Sequence, residues 1–204
     1  MTNNGKQIRT LFAREHETVF PRLGVFLAGP TPPSGKMRSG WRRVVIESLR
    51  ADDRLDPSML VVAPEPESGQ WTSIDHADPQ TELDIVRDKQ IPWELQYLQL
   101  CDITAFWLPT YWDAETAGVF TPNIGPTSRW EFGYFFQEFL KNPTRRHFIV
   151  GSPADAESVK WAKRITDMHG VKWHTLPVDR KQGLVVDSFI EEIANTLLAN
   201  RWEY

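Results

Sequence analysis

With 204 residues, the chain is long enough for one domain with a single hydrophobic core and too short for two large ones. Its formal net charge of -4 and its lack of a basic run exclude a nucleic-acid polymer as the main partner, although a nucleoside or a single nucleotide remains compatible. The single cysteine, Cys101, and the lack of a signal peptide or of an apolar run of membrane length indicate a cytoplasmic protein that does not enter a membrane.

Apolar runs typical of buried strands alternate with helical patterns along the chain. The first residues are polar and mixed, and we expect a helical or partly disordered N-terminal arm over 1–22, followed by a single α/β domain over 23–204. A polar stretch over about 65–80 is predicted as a loop or lid, and Pro92 is expected to break a helical pattern over about 82–100. The predicted strands cover 25–28, 60–63, 103–108, 148–150 and 171–176, and the other predicted helices cover 40–50, 129–140, 154–168 and 185–199.

Strands that are apolar throughout and separated by helices predict a parallel sheet covered on both faces. Five such strands with right-handed crossovers suit a flavodoxin-like three-layer sandwich. Ligands of such sheets bind beyond the carboxyl ends of the strands, at what we call the carboxyl edge. Gly29 and Pro30 follow the first predicted strand, and Pro64 and Glu65 follow the second, so we expect these residues at the ligand site.

The segment GPTSRWEFG at 125–133 is expected to carry an acidic side chain into the first turn of a helix. Ser128 and Glu131 have the three-residue spacing of a capping box, in which the Glu side chain returns to the helix start. The same Glu131, facing Gly29 at the carboxyl edge, is placed to attack the anomeric carbon of a nucleoside. Spacing alone leaves both interpretations open.

Two further acidic residues precede the third predicted strand. Glu94 lies beside an apolar helical stripe and Asp102 directly precedes the strand, and we expect both to converge with Glu131. A solvated helix face for Glu94 and a turn hydrogen bond for Asp102 are the competing structural interpretations. Trp71, in a polar loop with no periodic face to bury it, is the candidate for stacking on a planar base.

Several short motifs follow one another along residues 24–151. They are VFLAGPTP at 25–32, WR at 41–42, VAPEP at 62–66, WE at 93–94, CD at 101–102, FWLP at 106–109 and EFG at 131–133. Their order and spacing resemble the nucleoside 2-deoxyribosyltransferase superfamily, and most closely its nucleoside 2-deoxyribosyltransferase-like branch. The resemblance implies a flavodoxin-like fold and retaining chemistry at an N-glycosidic bond.

By position, the resemblance implies that Glu131 is the nucleophile, that Glu94 assists the leaving base or orients the sugar, and that Gly29 and Pro30 lie under the sugar. Glu94 stands where characterised members usually carry an aspartate, which is one methylene shorter, and Asp102 is expected to play a supporting catalytic role. The resemblance also implies a nucleoside or nucleotide substrate, a free nucleobase as acceptor and a homo-oligomer, and we expect no metal or redox cofactor. The remaining expected substrate contacts are Thr31, Arg42, Pro64, Trp71, Trp107 and Ser128.

The chain also departs from the family that it resembles. It lacks a Tyr in the first motif, and Arg129-Trp130 precedes the nucleophile position where smaller or uncharged residues are common. The loop around Trp71 and the one over about 109–119 are expected to reshape the base pocket. The substrate therefore does not follow from the resemblance alone.

The implied chemistry needs two carboxyl groups. Displacement of a base from C1′ passes through an oxocarbenium-like state, which a carboxylate below the ring stabilises before it forms a glycosyl ester. Two nearby carboxyls split their pKa values into one acid and one anion, and in retaining glycosidases they lie about 5–5.5 Å apart. We expect the helix start to favour the Glu131 anion by about 0.3–1 kcal/mol.

Two alternatives remain open. One is a hydrolase of nucleoside monophosphates that uses the same Glu131 with water as acceptor and holds a phosphate with Arg42, Arg129 and Ser128. A helical position also suits Arg42 for extending past apolar surface to solvent. The other alternative is a nucleotide-binding module without catalysis, because the fold alone does not establish an enzyme.

Overall fold

The computed structural model describes residues 8–18, 23–30, 40–69, 86–108, 126–154, 156, 159–176 and 187–200. Within these residues there are six strands: β1 (Arg9–Phe12), β2 (Gly24–Ala28), β3 (Leu60–Ala63), β4 (Ile103–Trp107), β5 (His147–Pro153) and β6 (Trp173–Leu176). The helices are α1 (Trp41–Ala51), α2 (Ile91–Leu100), α3 (Pro126–Lys141), α4 (Lys160–Met168) and α5 (Asp187–Asn200), with a π-helical turn, Val86–Gln90, directly before α2. None of the helices within these residues has the length and apolarity to cross a membrane.

The strands form one sheet in the order β1-β3-β2-β4-β5-β6, and every neighbouring pair is parallel. Without β1 this is the flavodoxin-like order 2-1-3-4-5, so the predicted fold class is confirmed. The chain leaves β2 for β3 on one side and then crosses to β4 on the other. The carboxyl ends of β2 and β4 therefore flank the topological switch point, where ligands of such sheets bind.

An edge strand at the start of the chain corrects two expectations. The sheet has six strands rather than five, and residues 9–12 are neither helical nor disordered. β1 pairs with β3 from Arg9 opposite Leu60 to Phe12 opposite Ala63. Leu11 and Phe12 are buried on opposite faces of the sheet, as the two-residue period of a strand requires. This apolar run was too short to stand out among its polar neighbours.

The core has two layers, one on each face of the sheet. Along β2, Val25 and Leu27 face the layer that includes α1 and α5, whereas Phe26 and Ala28 face the layer that includes α2, α3 and α4. Both faces are covered, which explains why the central strands are apolar throughout. Helices α2 and α3, which carry Glu94 and Glu131, consequently pack on the same face of the sheet.

Helix α3 begins at Pro126, three residues before its predicted start. Proline suits the first helical position, because the N–H that it lacks would have no partner within the helix. Ser128 is therefore the third helical residue rather than the N-cap, and the first turn contains no acidic residue. The predicted capping box is wrong, and so is the stabilisation of the Glu131 anion by the helix start, since that effect falls off within the first turn.

Candidate active site

Gly29 brings the carboxyl ends of β2 and β4 into close contact. Its φ of 135° lies in a region that side chains with a Cβ rarely adopt. A Cβ at this position would overlap the backbone carbonyl oxygen of Trp107 at the end of β4. Only glycine therefore allows the two strands to approach this closely at the switch point, and Pro30 follows it in a buried position.

A buried arginine from α1 holds this turn from below. Arg42 is fully buried, and its guanidinium donates to the backbone carbonyl oxygens of Leu27, at 2.9 Å, and Gly29. It also pairs with the buried carboxylate of Glu65, at 3.3 Å, and Arg43 lies 3.2 Å from the other oxygen of the same carboxylate. The expectation that Arg42 extends to solvent is wrong. Its guanidinium binds the protein's own backbone and Glu65, so the expected role as a phosphate or substrate contact is corrected to that of a support for Gly29.

Two carboxyl groups from different helices meet near Arg42. Glu94 lies in the first turn of α2, and Glu131 lies in the second turn of α3. Their side chains are hydrogen-bonded to each other, and the charge of Arg42 acts on both. Glu131 is only 9% exposed. We call these two residues the carboxyl pair.

Burial sets the protonation of the pair. It is the largest cause that raises the pKa of Glu131 to about 8, followed by the charge of Glu94 and the hydrogen bond with it, while the charge of Arg42 lowers that pKa. Burial also raises the pKa of Glu94, but hydrogen bonds from Gln90 and Glu131 and the charge of Arg42 oppose the shift. Both carboxyl groups have raised pKa values and are hydrogen-bonded to each other, so the pair shares one proton near neutral pH.

Among the described residues, Arg42 is a cation whose charge acts on both members of the pair. Arg42 and Arg43 supply two positive charges, and Glu65 supplies one negative charge beside them. Two ionised carboxylates in the pair would place two like charges together in a poorly solvated place, which a single shared proton avoids. A single shared proton is thus the arrangement that burial and charge both favour.

Gln90 was missed by sequence reasoning. It ends the π-helical turn, four residues before Glu94, and its side-chain Nε2 donates to Glu94 Oε1 at 2.6 Å. The spacing of four residues, which places two side chains on one face of a helix, was the available signal. Glu65 lies just past the end of β3, where its place in the sequence predicts it, but its pairing with Arg42 depends on the packing of α1 against the end of that strand.

Two of the expected site residues lie away from the pair. Asp102 precedes β4, and its Oδ2 accepts from the backbone N–H of Gly24 at 3.2 Å, at the edge where the strands begin. The five residues of β4 separate it from the carboxyl edge by about 16 Å, so the expectation that it converges with Glu131 is wrong. The side chain of Trp107 is buried in the α1 and α5 layer, 5.2 Å from Phe189 between ring centres, so the expected substrate contact is corrected to a core position.

The remaining expected contacts divide into two groups. Pro64 is buried at the end of β3, at the carboxyl edge, and Ser128 is buried in the first turn of α3. Thr31 and Trp71 lie outside the described residues. In the part of the chain that the structure describes, no group of three or more His, Cys, Asp or Glu side chains is arranged to hold a metal ion.

Comparison with known proteins places this geometry in context. A family model described as nucleoside 2-deoxyribosyltransferase-like matches residues 22–143. The matched region runs from before β2 to just past α3, and it includes Gly29, Arg42, Glu94 and Glu131. No curated protein matches the chain.

Proposed function

This chain belongs to the nucleoside 2-deoxyribosyltransferase-like family, and we propose that it transfers the glycosyl group of a nucleoside or nucleotide through a covalent intermediate on Glu131. The observation that carries this proposal is the carboxyl pair, in which Glu131 and Glu94 share one proton beside the switch point. A retaining displacement at an anomeric carbon needs one nucleophilic carboxylate and one proton for the leaving base. The pair holds both.

The first step uses the shared proton. As the glycosidic bond weakens, positive charge grows on the sugar and favours an anionic Glu131 over its protonated form. The proton passes along the hydrogen bond to Glu94, and a Glu131 oxygen bonds to C1′. The bonding electrons of the broken C1′–N bond leave with the base, which takes the proton from Glu94. The products are a glycosyl ester on Glu131 and a neutral base.

The second step reverses the first with another acceptor. The Glu94 carboxylate removes a proton from the incoming nucleobase, whose nitrogen attacks C1′ and releases Glu131. Water in place of the base would give hydrolysis by the same route, so the two outcomes differ only in the acceptor.

Arg42 supports both steps without contacting the sugar. Its hydrogen bonds to the carbonyl oxygens of Leu27 and Gly29 fix the turn on which the sugar would rest. Its positive charge lowers the pKa of both members of the pair, which keeps one of them ionised despite burial.

The test measures base release and base exchange. The full chain is incubated with a panel of nucleosides and nucleotides, with and without a second free base, and the products are separated by chromatography. We expect exchange in the presence of the second base, and a loss of at least 1,000-fold in Glu131→Gln. Glu138→Gln, on the same helix, and Asp102→Asn, at the other edge of the sheet, serve as controls and should keep the activity. Base release by Glu131→Gln at the rate of the unmodified protein would overturn the proposal.

The proposal also includes an oligomeric state and a location in the cell. The family resemblance supports a homo-oligomer, and a single mass equal to one chain by light scattering would contradict it. The single cysteine, Cys101, is buried and unpaired, which supports a cytoplasmic location. Fluorescence microscopy of the tagged protein in its own host tests that location.

A further inference from the structure

One polar atom of the Gln90 side-chain amide has a hydrogen-bond partner, and the other has none among the described residues. Gln90 is only 8% exposed, and its Nε2 donates to Glu94 Oε1 at 2.6 Å. Its Oε1 is buried and has no hydrogen-bond partner among the described residues. An unpaired buried acceptor of this kind costs about 1–3 kcal/mol, so its presence calls for an explanation.

The orientation of the amide follows from the charge of Glu94. With the oxygen and nitrogen exchanged, Gln90 would place an acceptor against the carboxylate, and two acceptors repel each other. In the structure Nε2 donates to Glu94 Oε1 at 2.6 Å, so Oε1 is the amide atom that has no partner among the described residues. The unpaired Oε1 is bonded to the same carbon as Nε2, so it lies next to the carboxyl pair.

The backbone around Gln90 is also unusual. The π-helical turn Val86–Gln90 leads directly into α2, and such wider turns occur often at functional sites. Gln90 and Glu94 are four residues apart, so the turn presents both side chains on one side. The turn therefore places an acceptor beside the groups proposed to act on the glycosidic bond.

We propose that Gln90 is a substrate-binding residue, whose Oε1 accepts a hydrogen bond from an N–H or O–H donor that the nucleoside carries near its glycosidic bond, while Nε2 holds Glu94 in place. This inference rests on the proposed function, because it takes the carboxyl pair as the reacting centre. The donor belongs either to a sugar hydroxyl or to the base. A substrate without it leaves Oε1 unpaired, and the site should therefore discriminate against that substrate.

The experiment uses ligand pairs that differ by one donor. The pairs are a ribonucleoside and its 2′-deoxy form, a nucleoside and its 3′-deoxy form, and a base with and without its exocyclic amine. Affinities are measured by calorimetry in the full chain carrying Glu131→Gln, so that turnover does not consume the ligand. Gln90→Met is then added, because it removes both polar groups at nearly constant size. Gln96→Met, at an exposed position of α2, is the matched control.

We expect an effect in only one of the ligand pairs. The unmodified Gln90 site should prefer the ligand with the donor by about tenfold to a hundredfold, and Gln90→Met should abolish that preference. The pair affected identifies the donor as belonging to the sugar or to the base, and Gln96→Met should leave every preference unchanged. Equal effects of Gln90→Met on all ligands, or none, would overturn the inference.

A second variant keeps the inference testable if Gln90→Met does not fold. Gln90→Glu retains an oxygen acceptor at the same reach, loses the donor to Glu94 and adds a third carboxyl group beside the pair, and it should keep the preference for the donor-bearing ligand. In the chain with Glu131 intact, its added negative charge should shift the alkaline fall of base release to higher pH. Loss of the ligand preference in Gln90→Glu would contradict the role of Oε1.

Failure of this inference is distinct from failure of the proposed function. If the unmodified protein exchanges bases but Gln90→Met keeps every preference, only the role of Gln90 is wrong. If Gln90→Met alters one preference but the unmodified protein exchanges no base, Gln90 binds the ligand and the proposed chemistry is wrong. If no ligand of the panel binds at millimolar concentration, both are wrong.

Discussion

The carboxyl group of Glu131 is hydrogen-bonded to that of Glu94, although the two residues lie on different helices. Two ionised carboxylates in direct contact would repel each other, so this hydrogen bond requires a proton between them. The topology of the sheet explains how the contact arises, since α2 leads into β4 and α3 follows it on the same face. The chemistry that we propose depends on this contact.

The first prediction concerns the pH dependence of base release. The pair is active with one proton, and burial together with Glu94 raises the pKa of Glu131 to about 8. We therefore expect kcat/KM to be highest around neutral pH and to fall above about pH 8, as the last proton leaves the pair. A fall at low pH should follow when Glu94 also takes a proton. A rate that keeps rising from pH 7 to pH 10 would contradict the shared proton.

The second prediction concerns stability in Glu131→Gln. The pKa of Glu131 is raised from 4.5 to about 8 on folding, so its contribution to stability is fully present below about pH 4.5 and is lost as the pH rises through 8. Glutamine is neutral at every pH and avoids that loss. We expect Glu131→Gln to increase the free energy of unfolding at pH 9 by on the order of 2 kcal/mol, and to change it little at pH 5. Denaturant unfolding at the two pH values measures this difference.

The matched control for that prediction is Glu138→Gln on the same helix. Glu138 is less buried and pairs with Lys141 on the surface, at 2.6 Å, so its replacement should change stability by less than about 1 kcal/mol at either pH. A Glu131→Gln variant that is equally destabilised at pH 5 and pH 9 would contradict the raised pKa of Glu131. It would show that this carboxyl group contributes to stability only through its contacts.

The third prediction concerns Arg42→Met. The substitution removes a buried cation and leaves the carboxylate of Glu65 buried beside Arg43 alone, which should lower the free energy of unfolding by about 3–5 kcal/mol. Arg129→Met, at an exposed position of α3, is the control and should change stability by less than about 0.5 kcal/mol. Combining Arg42→Met with Glu65→Gln should restore part of the loss, because residue 65 then carries no buried charge that lacks Arg42. Equal stability of Arg42→Met and Arg129→Met would contradict the assigned role.

The fourth prediction compares two glycines. Gly29→Ala places a Cβ against the carbonyl oxygen of Trp107 and forces alanine into a φ of 135°, so we expect a loss of stability of more than about 2 kcal/mol and a loss of base release. Gly133→Ala adds a methyl group to the exposed side of α3, where no atom of the described residues lies within 4 Å, and should stabilise the protein by up to about 1 kcal/mol. Thermal unfolding of both glycine variants measures this difference in stability. A Gly29→Ala protein as stable as Gly133→Ala would contradict the close approach of β2 and β4.

Much of the fold was predictable because its signals are local. The strands β2 to β6 are short apolar runs between helical patterns, and the order of such elements limits a parallel sheet to few windings. The strand β1 was not predictable in the same way, since four residues with two buried side chains give too short a pattern. The start of α3 was misplaced because Ser128 and Glu131 have the spacing of a capping box, while Pro126 was the true signal of the first turn.

The residues of the candidate site were predictable only where the order of the elements determines at which edge of the sheet each residue lies. Glu94 and Glu131 each lie near the end of a helix that faces the carboxyl edge, so the topology brings them together. Asp102 was placed with them because it is close to Glu94 in sequence, but α2 runs the length of the sheet between the two residues and carries them to opposite edges. The buried pairing of Arg42 with Glu65 depends on packing between separate elements, for which a single sequence gives no signal.

The most direct measurement of the central claim is the mass of the intact protein after brief incubation with a nucleoside and rapid acid quenching. We expect an added mass equal to one glycosyl group, located on Glu131 by peptide fragmentation and missing from Glu131→Gln. A protein that releases base yet carries no adduct under any quench time, or carries it on another side chain, would contradict the claim that Glu131 attacks the anomeric carbon.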